Sequence, residues 1–560
     1  MKRKLTAMSI ARLTIMLIMT SFMTGGVFAQ TLTQKQLTTE FDKILTQQFP
    51  AGETGCAALV AKNGQIIYRK AFGMADLELN VTMQPEMIFR IGSITKQFTA
   101  VAILQLMEQG KLSLQDEITK FIPDYPMQGH SITIEHLLTH TSGIKSYTSV
   151  PEYMKLMRND LTPDELLEKI SALPMEFAPG TKWNYSNSGY FLLGYIIEKV
   201  TGKTYQEYLQ ENFFTPLGMT GSCYGNESKI IKNRTRGYSP GGEGVVNAEY
   251  LSMTLPFSAG AIMSTVDDLY RWNRAVHSYK LVKKETLDMA LTPYKLTDGK
   301  PTGYGYGWFL SELQGSPTIE HGGGINGYLT FAIYLPGEDV FVALFSNNNG
   351  KVPEFSALRM AALAIGKPLK TTAMTLDEAA LKEYQGIYAN EEGREATISL
   401  NEDRLSAARA GGSRRNMIPV EKNLFMIENS FTSIKFTRDA AGKIIEATFD
   451  DRGNVTAWKK TDKPMVEKKV VTVEESVLDR YIGEYEIQPG FTITFTRDGN
   501  RLFTQATGQQ KIEIYPESET RFFLKVVDAQ VDFVAGDDGK VNKIILHQGG
   551  QNIEGKRIKN

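Results

Sequence analysis

The sequence predicts an α/β (α+β) domain, an antiparallel sheet flanked by helices and carrying a helical lobe, followed by two small all-β barrels. Three observations predict it. Residues 30–368 alternate helical and strand periodicities, residues from about 376 onward keep only strands and turns, and that tail repeats itself at an offset of 97 residues. The 560 residues, 42% hydrophobic and 22% charged, hold enough apolar surface for several packed cores and exclude wholesale disorder.

The chain opens with Lys2, Arg3, Lys4 and Arg12, an apolar stretch from Leu13 to Met23, and Val27-Phe28-Ala29 with small residues three and one before a cut. Basic start, short apolar run and small-residue cut describe a secretory signal peptide over residues 1–29, cleaved after Ala29, which places the protein in the periplasm or outside the cell. Nothing later approaches 18 consecutive apolar residues, so no membrane span is expected in the mature chain. The 62 basic and 63 acidic residues leave a net charge of −1 and no positive field to attract nucleic acid. Cys56 and Cys223 permit one disulfide and form no thiolate metal site.

Leu37, Phe41, Ile44, Leu45 and Phe49 share one helical face, and Asn63-Gly64 breaks residues 57–71 into a tight hairpin. The other end of the region mirrors this: two apolar runs, Leu329 to Leu335 and Val340 to Ser346, flank Pro336-Gly337-Glu338-Asp339 and precede a helical stretch over Ala357 to Ile365. One antiparallel sheet built from both ends, with the helix-rich middle as a lobe, leaves a crevice between them as the natural site. In the tail, Leu381, Tyr384, Gly386 and Tyr388 recur as Leu478, Tyr481, Gly483 and Tyr485. Period-two strands and Asp-Gly turns make each copy an antiparallel barrel, residues 376–462 and 474–560, joined by a lysine-rich linker.

Ser93 stands at the start of an apolar-periodic helix that stops near Gly110, and Lys96 lies one turn further on the same face. A serine hydroxyl needs something to take its proton, and a lysine whose charge is disfavoured in a crevice can do so. A second Ser-x-x-Lys, Ser142 to Lys145, falls in a loop with no helix to orient it. Tyr185 and Asn187, on a loop before the helix from Tyr190, offer a proton relay and a binder for a substrate amide. His321-Gly322-Gly323-Gly324, read as a glycine hairpin between two strands, lets backbone N–H groups approach a substrate oxygen.

Two competing patterns fail. Gly237-Tyr238-Ser239-Pro240-Gly241 has the form of a nucleophile elbow, but Pro240 has no N–H to give an oxyanion, and the segment reads as a flexible loop. His136 and His140 stand at a zinc-binding spacing, yet Leu137 occupies the place of the glutamate base, so no metal and no cofactor is expected.

In order, Ser93-x-x-Lys96, Tyr185-x-Asn187 and His321-x-Gly323, with Ile132 to Gly143 as a further signature segment, resemble the serine β-lactamase and penicillin-binding protein superfamily. The likeness is to its class C-like branch of D-aminopeptidases, carboxypeptidases and esterases. It spans residues 35–365 and implies an exported serine hydrolase. Ser93 would be the acylated nucleophile, Lys96 and Tyr185 would share the proton, and Asn187, His321 and Gly323 would bind substrate. The N–H groups of Ser93 and Gly324 would form the oxyanion hole.

Where many β-lactamases carry Lys-Thr-Gly, this chain has His321, mostly uncharged at neutral pH. Small peptide, amide or ester substrates are therefore expected ahead of β-lactams; a β-lactamase, or a non-hydrolysing sensor or wall-binding protein, are the alternatives. The tail copies resemble small lipocalin-like barrels, which by that analogy cover the crevice.

Overall fold

The computed structural model describes residues 32–559 apart from 243, 370, 371, 402, 410, 411, 466, 467 and 489. The expected signal segment and its cut after Ala29 lie outside the described residues.

Helix α1 (Gln34–Gln48) starts at a capping box, the Thr33 side chain taking the N–H of Gln36 while the Gln36 side chain reaches back. It buries the expected face of Leu37, Phe41, Ile44 and Leu45. Strands β1 (Cys56–Lys62) and β2 (Gln65–Phe72) turn at Asn63 and Gly64, both with positive φ, as an Asn-Gly hairpin requires. Helix α2 (Thr95–Glu108) follows a single 3₁₀ turn, Gly92–Ile94, and helix α3 (Asn187–Thr201) runs through the lobe. After α4 (Val266–His277) come β3 (Phe309–Leu313), β4 (Ser316–Ile325), β5 (Tyr328–Leu335), β6 (Val340–Ser346) and α5 (Glu354–Ala364).

The sheet is antiparallel in the order β3-β4-β5-β6-β1-β2, so the two ends of the domain meet where β1 pairs with β6 from Cys56 opposite Ser346 to Lys62 opposite Val340. Period-two alternation divides β1 between two cores. Ala58 and Val60 pack with α1 and α5, whereas Ala57, Leu59 and Ala61 belong to the larger core that also holds α2, α3 and α4. The glycine triplet departs from expectation: it lies inside continuous β4, and the turn falls at Asn326-Gly327, because β4 keeps pairing with β5 from Ile319 to Ile325. The Gly237 segment is likewise a paired hairpin, Tyr238–Gly241 with Gly244–Asn247.

The tail forms two closed eight-stranded barrels, from Gly386–Ala389 to Asn454–Lys460 and from Gly483–Gln488 to Gln551–Lys559. The structure explains the repeat. Tyr388 and Tyr485 each donate a phenolic hydrogen bond back to the carbonyl of the tyrosine four residues earlier, and Leu381 and Leu478 are buried beneath. Tyr388, Phe425, Phe436 and Trp458 fill the first interior, and Tyr485, Phe495, Phe522 and Phe533 the second, so these interiors are packed cores.

The first barrel contacts the α/β domain on strands of the sheet. The tip of its hairpin Ile444–Asp451/Asn454–Lys460 meets the α/β domain at β3 and β4, where Arg452 sets its guanidinium on both carboxylate oxygens of Glu320. Among the described residues, no barrel residue lines the cavity beside Ser93.

Candidate active site

Ser93 sits in the 3₁₀ turn ahead of α2, and that turn is pressed against the edge of β4. Two glycines make the approach possible. A Cβ on Gly323 would stand 1.9 Å from the Ile91 carbonyl oxygen, and one on Gly92, at φ 52°, would stand 2.9 Å from the Gly324 nitrogen. No side chain fits either gap. Gly323 is therefore a packing glycine that brings two backbones together, and Gly324 is the member of the triplet that reaches the cavity.

Lys96 is fully buried, and its Nζ lies 3.1 Å from Ser93 Oγ, 2.8 Å from Asn187 Oδ1 and 2.9 Å from the Ala259 carbonyl. The last two partners can only accept. Asn187 is held in that orientation because its Nδ2 donates to Thr148 Oγ1 at 2.9 Å. A neutral amine has two N–H groups for these acceptors and one lone pair left for the serine hydroxyl. Burial lowers the Lys96 pKa well below its ordinary value, and no carboxylate is among its hydrogen-bond partners. The site thus holds an amine poised to accept a proton from Ser93.

Tyr185 packs its ring 4.7 Å from Lys96 Nζ, and its hydroxyl is buried with no settled hydrogen-bond partner beside Ser93. Burial raises its pKa far above that of an ordinary phenol, so it stays protonated and can donate. Asn187 opens α3 directly after the cap Ser186 rather than projecting from a loop.

His321 is placed differently from expectation. It is 2% exposed, its Nδ1–H donates to the Gly322 carbonyl at 2.6 Å and its Nε2 takes the Tyr304 hydroxyl at 3.1 Å. Both ring nitrogens are engaged inside the protein, so it presents no group to a substrate. Burial pushes its pKa down to about 3. An uncharged ring follows.

The cavity beside Ser93 has a volume of about 170 Å³. Tyr147, Tyr153, Leu251, Pro256 and Ile325 give it an apolar wall, and Thr148, Asn187, Asn326 and the Gly324 backbone give it polar points. No charged side chain lines it among the described residues. The whole apolar wall, with Thr148 and Asn326, escaped the sequence reading, since it is assembled from a 3₁₀ turn, a short helix, a strand end and loops that share no motif.

The rejected zinc pair is taken apart by the fold. The helix carrying His136 ends at Leu138, His136 Nδ1 takes the Thr133 N–H and His140 Nδ1 takes that of Ser186. No group of three metal-ligating side chains occurs among the described residues. Cys56 and Cys223 are both free, Cys56 being buried in β1. No described helix is long and apolar enough to cross a membrane.

Comparison with known proteins bears on both regions. The Beta-lactamase family profile matches residues 42–367, and a domain of unknown function, DUF3471, matches residues 467–557. Penicillin-binding protein 4* of Bacillus subtilis is 25% identical over 532 residues, covering 90% of this chain and 94% of that protein. An octameric penicillin-binding protein homologue from Pyrococcus abyssi is similar in structure, with a TM-score of 0.55 and 27% identity over 76% of this chain and 100% of that one. A D-stereospecific amidohydrolase from Streptomyces gives a TM-score of 0.51 at 27% identity, over 57% of this chain and 97% of its own.

Proposed function

The chain belongs to the beta-lactamase family, and on that premise we propose that it is an exported serine hydrolase that works through an acyl-enzyme on Ser93 and takes small D-amino-acid amides, peptides or esters. The observation that carries this reading is the buried Lys96 amine, bonded to the Ser93 hydroxyl and to two pure acceptors.

In acylation the Ser93 oxygen attacks the substrate carbonyl as its proton passes to Lys96 Nζ, a general-base step worth roughly 10²–10⁴-fold. The N–H groups of Ser93 and Gly324 face the oxyanion, each such donor being worth about 10²–10³-fold. Tyr185, a protonated phenol beside Ser93, relays a proton to the leaving amine or alcohol, and water then releases the acyl group by the reverse route.

Substrate preference follows from the missing charge. A β-lactam or a peptide ending in a free carboxylate finds no lysine or arginine on the cavity wall among the described residues, and His321 is neutral and turned inward. An amide or ester has no such need, and the apolar wall suits an aromatic or aliphatic D side chain. The Streptomyces amidohydrolase likeness supports this preference.

The test is steady-state turnover of p-nitrophenyl acetate, a D-amino-acid amide, a D-Ala-D-Ala peptide and a chromogenic cephalosporin, with Ser93→Ala as the blank. The amide and ester should turn over and the cephalosporin should be poorest. A single stoichiometric burst without turnover would refute the hydrolase, and rapid cephalosporin hydrolysis would refute the substrate preference.

A further inference from the structure

His140 belongs to none of the three motifs that build the site, yet it is bonded on both sides of Tyr185. It lies two residues beyond the helix Ile134–Leu138 with φ 59°, a left-handed conformation that is strained for a residue bearing a side chain. Its carbonyl accepts the N–H of Asn184 at 3.0 Å, and its Nδ1 accepts the N–H of Ser186 at 3.1 Å. The residue between those two donors is Tyr185. The imidazole also lies against the Tyr185 ring, centroid to centroid 4.2 Å at 35°.

The bond from Ser186 decides the tautomer. A backbone N–H can only donate, so Nδ1 carries the lone pair and the neutral ring carries its proton on Nε2. That Nε2–H is buried with no hydrogen-bond partner among the described residues, the ring standing among Tyr185, Tyr190, Tyr304 and Trp183. A strained backbone and an unpartnered buried donor are both costs that local folding does not explain. Both are explained if the ring's task is to grip the chain around Tyr185.

We propose that His140 is a positioning residue for the acyl-transfer site: it fixes the Tyr185 phenol over Lys96 and beside Ser93 by accepting the Ser186 N–H and backing the phenol ring. It acts through Tyr185 and touches no substrate. The proposal rests on the serine hydrolase reading above.

Two variants separate this role from simple packing. In His140→Asn the side-chain oxygen can still take the Ser186 N–H, and asparagine tolerates left-handed backbone. In His140→Gly the backbone is relaxed but the acceptor and the ring are gone. With p-nitrophenyl acetate, H140G should lose roughly 10²-fold in kcat, the loss expected when a catalytic group moves by about 1 Å, with KM changed by less than about threefold. H140N should recover at least about tenfold of that loss, and on a Tyr185→Phe background H140G should cost less than about threefold more.

Equal kcat losses in H140N and H140G would overturn the proposal, as would a full further loss on the Tyr185→Phe background. Should H140G fail to fold, the ¹⁵N histidine spectrum of the wild-type protein decides: a neutral Nε2–H ring for His140 at pH 7 supports the proposal, and an Nδ1–H ring or an imidazolium overturns it. That spectrum needs no turnover. A wild type inert to every ester and amide would therefore count against the hydrolase reading, whereas a wrong tautomer counts against this one.

Discussion

Arg452→Ala should loosen the α/β domain itself, although the arginine belongs to the first barrel. Arg452 sits at a hairpin tip with φ 54° and makes two bonds to Glu320, Nη1 to Oε1 at 2.7 Å and Nη2 to Oε2 at 2.5 Å, plus one from Nε to the Glu312 carbonyl at 3.1 Å. Its own carbonyl accepts from the Glu312 N–H at 3.2 Å and from Ser311 Oγ at 3.0 Å. The side chains of Arg452 and Glu320 are only 10% and 7% exposed. Truncating the arginine leaves the Glu320 carboxylate buried with its cation gone, which costs about 3–5 kcal/mol.

The assay is calorimetric and urea unfolding of the full chain, with Arg452→Ala, Glu320→Gln and an Arg452→Met/Glu320→Leu pair. At about 2.1 cal/mol/K of unfolding entropy per residue, a domain of roughly 330 residues shifts by about 1.4 °C per kcal/mol, so the single change should lower the midpoint by about 4–7 °C. The apolar pair, which leaves no buried charge, should regain most of that stability. Because Glu320 directly precedes His321 on β4, ester turnover in Arg452→Ala should fall as well. A change under about 0.5 kcal/mol in Arg452→Ala, or a double variant as unstable as the single one, would refute the argument, since either would show that an uncompensated charge is not what the arginine prevents.

Gly323→Ala should cost about 1–3 kcal/mol through overpacking and should cut turnover, because its Cβ would lie 1.9 Å from the Ile91 carbonyl and drive β4 off the Ser93 turn. Gly322→Ala, whose Cβ meets nothing nearer than 3.6 Å, is the tolerated control, and equal urea midpoints and rates for the two would contradict the close-approach argument. His321→Asn should flatten the acid side of the stability curve. The folded His321 pKa of about 3 lies below its ordinary 6.5, so between these values the unfolded chain binds the extra proton and stability falls as pH falls. Calorimetric midpoints of wild type and His321→Asn that run parallel from pH 6.5 to pH 3 would disprove it.

Much of the architecture was readable without coordinates, because it rests on local periodicity. The α1 face, the Asn63-Gly64 turn and the repeated Leu-Tyr-Gly-Tyr run each depend on residues a few positions apart, and each took the form its spacing predicted. One sheet shared by the two ends of the domain followed from the likeness of their patterns, and the coordinates add that β1 and β6 are the strands that join them. The Ser93 and Lys96 pair was legible for the same reason: three residues along a helix entry is a local distance.

Tertiary structure decided which way groups face and which protons they hold. Sequence suggested that His321 would greet a substrate, but the alternation of β4 turned it onto Tyr304 and gave the opposite face to Glu320 and the barrel's Arg452. It weighed His140 only as half of a rejected zinc pair, because the hydrogen-bond partner that fixes its ring is a backbone N–H 46 positions away. A residue's charge depends on the water removed from it and on neighbours brought in by chain closure, and neither is encoded within a few positions of the residue itself. The linear order of the chain therefore set the elements and the Ser93–Lys96 neighbourhood, while desolvation and long-range hydrogen bonds, which exist only once the cores have formed, set the protonation and orientation of the two groups.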